Sequence, residues 1–221
     1  MYGLTLGLIL FPQREEIRMF TRRALALSWR EIRPYVVFSA LLFFAGIIVG
    51  GAPNGSMDWL RDQLKGIGDL ADKARQADNP QLAFFRIIFI NNLSKSVMAM
   101  YIGIVAGIFP FIMLLTNGMI IGYLFGGMAD QGENVWLLVA KGILPHGILE
   151  LPALFLACGF GMRLGFTLIK GIFRSALGKP EPWGAFVRTA AGTIPALVLI
   201  ALMLLVAAGI ESTVTYWLMG S

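Results

Sequence analysis

The chain has 221 residues, of which 57% are hydrophobic and only 14% charged, with a net charge of +5 and a mean hydropathy of +0.73. Soluble domains carry about 25% charged residues, so composition excludes a soluble globular protein and predicts an all-α, polytopic membrane protein. The single cysteine, Cys158, lies in an apolar run, which excludes a disulfide framework and a cysteine-based metal motif; the positive charge fits basic loops beside anionic lipid better than nucleic-acid binding.

In chain order, Met1 to Phe11 is apolar but lacks the basic start and small-residue cleavage site of a signal peptide, and it is too short to span a bilayer. From Pro12 to Arg33, residues Ile17, Phe20, Ala24 and Leu27 recur at helical spacing beside a row of Arg14, Arg18 and Arg22. Residues 1–34 are therefore expected to be a cytoplasmic amphipathic segment, lying in the membrane interface or packed on the bundle. The first span is expected over 35–51, with Pro34 at its start and Gly46 and Gly50 offering a close-packing face. Residues 52–80 turn polar, with Trp59, Leu64, Ile67 and Leu70 loosely periodic, and predict an amphipathic helix outside the bilayer, broken near Gly66 and Gly68.

The second span, 81–109, contains Asn91, Asn92 and Lys95, followed at helical spacing by Ser96, Ala99, Gly103 and Gly107. Such a small-and-polar stripe belongs against other helices. Pro110 is expected to break this helix, and the third span, 111–128, carries Asn117 and the row Gly118, Gly122 and Gly126. The fourth span is expected over 135–160. Gly161 to Arg188 reads as a basic connection in which Leu164 to Phe173 is apolar enough to lie in the interface. The fifth span, 189–209, is kinked at Pro195, and 210–221 is an external tail. No internal repeat of the transporter kind is present. With five spans, the arginines before Pro34 and the basic residues Arg163, Lys170, Arg174, Lys179 and Arg188 fall on one side. The positive-inside rule makes that side cytoplasmic, in the cell membrane, with the C-terminus external.

The fourth span holds the stretch around which the others are organised. It carries the only histidine, His146, and Glu150 four residues later, positions that share a helix face. Pro145 suits a first helical turn, and Pro152 is expected to bend the segment. At ~1.5 Å per residue from the external ends of the spans, Asn92, Asn117 and His146 fall at roughly 16 Å depth and Lys95 and Glu150 at about 21 Å. Five uncommon polar residues thus share one intramembrane layer. Three uses stay open. The layer is helix glue, with Lys95 paired to Glu150; or it is a divalent-metal site with His146 and Glu150 as ligands; or it is a proton or substrate path through a small dimeric transporter or channel. The full zinc-protease pattern H-E-x-x-H is absent, and neither a catalytic residue nor a bound cofactor is assigned.

Asn91-Asn92 in the second span, Asn117-Gly118 with Gly122 in the third, and Leu144-Pro-His-Gly-Ile-Leu-Glu-Leu-Pro152 in the fourth resemble the stage II sporulation protein M family of integral membrane proteins. Arg163-Leu-Gly165 also fits, and the likeness covers roughly Tyr35 to Gly209. The resemblance implies engulfment in spore-forming bacteria, as the membrane partner of two peptidoglycan-degrading proteins, and carries no established catalytic role for Asn92, Asn117, His146 or Glu150. The expectation is a non-enzymatic membrane scaffold that recruits or regulates cell-envelope hydrolases. The number of Gly-xxx-Gly faces predicts self-association into a homodimer.

Overall fold

The computed structural model describes residues 20–52 and 58–215; the expectations for 1–19, 53–57 and 216–221 lie outside it, as does the side chain of His146. The described chain is all helical, without strands, and folds into seven α-helices interrupted by two π turns. Five helical stretches are long and apolar enough to cross a membrane: Arg22–Gly50, Pro80–Ile102, Ile108–Asp130, Gly147–Ala176 and Gly184–Thr213.

Helix α1, Arg22–Gly50, begins at Thr21, whose hydroxyl accepts the Ala24 N–H at 3.3 Å. It runs through Pro34 as one element, where the sequence pattern divides an interfacial segment from a span. A proline removes one helical hydrogen bond, and here buried Ile32 on one side and buried Ser39 and Phe43 on the other hold the helix on course. Helix α2, Asp58–Arg75, is amphipathic and carries both signs of charge; it is continuous through Gly66 and Gly68. Helix α3, Pro80–Ile102, starts with Asn79 accepting the Leu82 N–H at 3.1 Å and with proline in its first turn, the favoured start signals.

The chain then reverses over residues 103–107, earlier than Pro110. Ala106 and Gly107 both take left-handed backbone angles, φ 54° and 72°, and Gly107 turns the chain into the next helix. Pro110 instead lies in the first turn of helix α4, Ile108–Asp130, where its missing N–H is harmless. A short helix α5, Val135–Leu138, passes through a π turn at Val139–Ile143 into helix α6, Leu144–Ala176. The irregularity therefore falls before Pro145, and α6 continues through Pro152 and on through most of the expected connection. Helix α7, Gly184–Ile210, ends in a second π turn, Glu211–Thr215.

Helix α6 is central: 67% of its apolar window is buried, against 11–39% for the other spans. Its residues Ala153, Leu156, Ala157 and Phe160 join Ile32 of α1, Met100 of α3 and Ala196, Ile200 and Leu204 of α7 in one core cluster. Its Phe155, Cys158 and Met162 join Phe43, Ala99 and Leu114 in a second. The glycine rows close the remaining seams. A Cβ on Gly46 would sit 2.5 Å from the Leu115 carbonyl oxygen, and one on Gly118 would strike the carbonyl of Phe43, so α1 and α4 touch backbone to backbone. A Cβ on Gly103, the residue that caps α3, would lie 2.6 Å from the Gly161 Cα, so the end of α3 meets α6 in the same way. These faces are spent inside one chain, which removes the glycine argument for a homodimer.

Candidate functional site

The polar layer is built first by α3 and α6. In α3, Asn91 and Asn92 follow an apolar run, so Asn92 reaches α6 while Asn91 is exposed. The Asn92 amide nitrogen donates to Glu150 Oε1 at 2.6 Å, across 58 positions of sequence. Behind it, the Asn91 amide donates to Asn92 Oδ1 at 3.4 Å. The side-chain oxygen of Asn92 is thus an acceptor and its nitrogen a donor, which points both groups along one line from α3 into α6. Lys95, one turn further along α3, lies within electrostatic range of Glu150. Among the described residues no ion pair closes between the two.

Glu211, which opens the second π turn, also lies within electrostatic range of Glu150. Sequence reasoning missed it, because it follows directly on the fifth apolar run and reads as the start of a tail. An acidic residue abutting a span in a chain with few carboxylates was the available signal. Asn117 is half-buried on α4, and among the described residues it makes no hydrogen bond to Asn92 or Glu150. His146 sits in the first turn of α6, with its side chain outside the described residues. Among the described residues no group of three His, Cys, Asp or Glu side chains has the geometry to hold a metal ion.

A second polar cluster lies nearer the basic end of the bundle, and its carboxylate was not singled out from sequence. The Arg163 guanidinium of α6 donates to the Glu31 carboxylate of α1 at 2.5 Å and to the Glu31 backbone carbonyl. Its Nε donates to the Thr189 hydroxyl of α7 at 2.8 Å, and its charge stands 6.0 Å over the Tyr35 ring. Arg188 adds a longer contact of 3.4 Å to the other Glu31 oxygen. The planar guanidinium supplies its donors in a fixed fork, so one side chain ties three helices. At the opposite end, the Arg61 Nε of α2 donates to the Tyr123 hydroxyl of α4 at 3.0 Å.

A five-span bundle, wrapped around one buried helix and pinned by a glutamate–asparagine contact in its interior, defines a polytopic helical membrane protein. The chain matches the family model described as Stage II sporulation protein M over residues 39–216, and it belongs to that family. The match takes in Asn92, Asn117, His146, Glu150, Arg163 and Glu211 and leaves Glu31 outside. Two uncharacterized proteins of Methanocaldococcus jannaschii are similar. One is 28% identical over 134 residues, covering 60% of this chain and 69% of its own. The other is 24% identical over 129 residues, covering 58% of this chain and 54% of its own, so this chain spans about half of that relative. No solved structure matches.

Proposed function

We propose that this chain is a non-enzymatic membrane scaffold that recruits or regulates cell-envelope, peptidoglycan-remodelling partners. The observation that carries the reading is α2. It is a charged amphipathic helix of 18 residues, fixed to the ends of the spans by Arg61 and Tyr123, with Lys65, Asp69 and Asp72 exposed. A docking element held on a rigid bundle is what a recruiting protein needs. By the positive-inside rule, the basic residues Arg22, Arg23, Arg30, Arg33, Lys170, Arg174 and Lys179 support a cytoplasmic opposite end, with α2 facing the cell wall in this reading. The Asn92–Glu150 bond supports the same reading, since it uses the polar layer to join helices.

The test is cross-linking and purification from native membranes, with Lys65→Glu and Asp69→Lys together in α2. Loss of a wall hydrolase from the purified complex, with the bundle still folded, is the expected result. A wild-type protein isolated without any envelope enzyme would defeat the proposal. A second reading is favoured by Glu211 and Lys95 both lying within electrostatic range of Glu150: a small transporter or channel, or an intramembrane metal site completed by His146. Ion flux in liposomes, or stoichiometric metal lost on Glu150→Gln, would promote it over the scaffold.

A further inference from the structure

The least apolar of the five spans is also the least covered. Helix α3 has a mean hydropathy of 1.2 in its most apolar window and only 11% of that window is buried. Its outward face carries Ile90, Asn91, Ser94, Lys95 and Met98, all exposed. Asn91 lies about 16 Å and Ser94 about 21 Å from the helix start at Pro80, at ~1.5 Å per residue, which is mid-depth for a hydrocarbon core of about 30 Å. Polar groups at that depth face protein or water and not acyl chains.

The spacing of this face fits a second copy of the same helix. Ile87, Asn91, Ser94 and Met98 recur at alternate steps of four and three residues, the spacing that the seam of a two-helix coiled coil uses. Asparagine at one seam position is the established device for fixing two-stranded register, because its amide both donates and accepts and so satisfies its own copy. Copies of one membrane protein share one orientation, so two of them meet about an axis along the membrane normal with these helices parallel.

We propose that α3 is the interface of a homodimer, in which the exposed Asn91 and Ser94 of each copy pair with those of the other. The dimer completes the polar layer. Asn91 already donates to Asn92, which donates to Glu150, so the partner's Asn91 supplies donors and acceptors at the outer end of that line. Lys95 flanks the seam and stays within range of Glu150. The interface is independent of the scaffold reading and of the glycine faces buried inside each chain.

The test is cysteine cross-linking of the full chain in native membranes, with oligomeric state counted by single-molecule photobleaching in lipid nanodiscs. Asn91→Cys, Ser94→Cys and Met98→Cys should each form an inter-chain disulfide, while Val198→Cys on the exposed face of α7 should not. Native Cys158 is buried and gives no background. Asn91→Leu should weaken the dimer roughly threefold to thirtyfold, the range for one interhelical polar contact in a membrane. The cysteine series uses an otherwise wild-type chain, so it holds even where Asn91→Leu misfolds. Monomers without seam cross-links overturn the proposal. So does cross-linking of Ser94→Cys to a different polypeptide, or its labelling by a water-soluble maleimide, which would make the face a wet lateral opening.

Discussion

Glu31 and Arg163, 132 positions apart, meet at 2.5 Å with only 23% and 11% of their side chains exposed. Removing one partner of a largely buried ion pair leaves the other charge uncompensated, at a cost of about 3 kcal/mol. Arg163→Ala should therefore lower the unfolding free energy in detergent by that order. Arg163→Lys should recover only part of it, since a single ammonium cannot reach the Glu31 carboxylate, its carbonyl and Thr189 together. Equal stability of the lysine variant and wild type would show that charge alone matters here.

The α1–α4 seam makes a second prediction. Gly118→Ala drives a methyl into the Phe43 carbonyl, and overpacking of this kind costs about 1–3 kcal/mol. Gly127→Ala, on the same helix with open space around it, should be neutral or stabilising by up to about 1 kcal/mol. Thermal melts of the two variants side by side check this. A similar loss in both would show that the Phe43 contact does not set the cost, since alanine favours a helix over glycine.

A third concerns Glu150. Asn92→Ala withdraws the donor at 2.6 Å and should destabilise by about 1–3 kcal/mol. Glu150→Gln keeps an oxygen to accept that bond and removes the charge, so it should fold nearly as well as wild type and retain any envelope partner. Loss of partner binding by Glu150→Gln at full stability would show that the carboxylate acts and does not merely brace.

Tyr123→Phe deletes the acceptor of the Arg61 contact at 3.0 Å, worth about 0.5–1.5 kcal/mol. Hydrogen exchange across Asp58–Arg75 should quicken while α4 and α6 stay protected. Unchanged exchange would mean that the Arg61–Tyr123 contact is not what holds α2.

Much of the fold was legible because hydropathy reports the bilayer directly. The five spans follow from apolar length, and Gly46, Gly50, Gly118 and Gly122 announced close approach. What those glycines approach was not legible, since a row of small residues fits a neighbour in the same chain or in another. Pro34 and Pro110 misled for one physical reason: a proline's cost depends on whether its N–H had a partner and on what holds the flanks. Within the candidate site, Asn92 and Glu150 were legible from the expense of polar groups in lipid. Glu31 was not, because a lone carboxylate among arginines reads as local charge balance, whereas its ligand comes from α6. Glu211 was hidden by its place at the edge of an apolar run.

The 58 positions between Asn92 and Glu150 also set an order of biosynthesis. When α3 leaves the ribosome, Asn92 and Lys95 enter the membrane well before the carboxylate that answers them has been made. Helices α1 and α4 can close their glycine seam at once, but the shell they form lacks its axle until α6 arrives. During that interval the insertion machinery, and not the protein, must shelter the α3 polar face. Truncated chains ending before Glu150 should therefore be held at the translocation site or degraded, while chains extended through α6 go free.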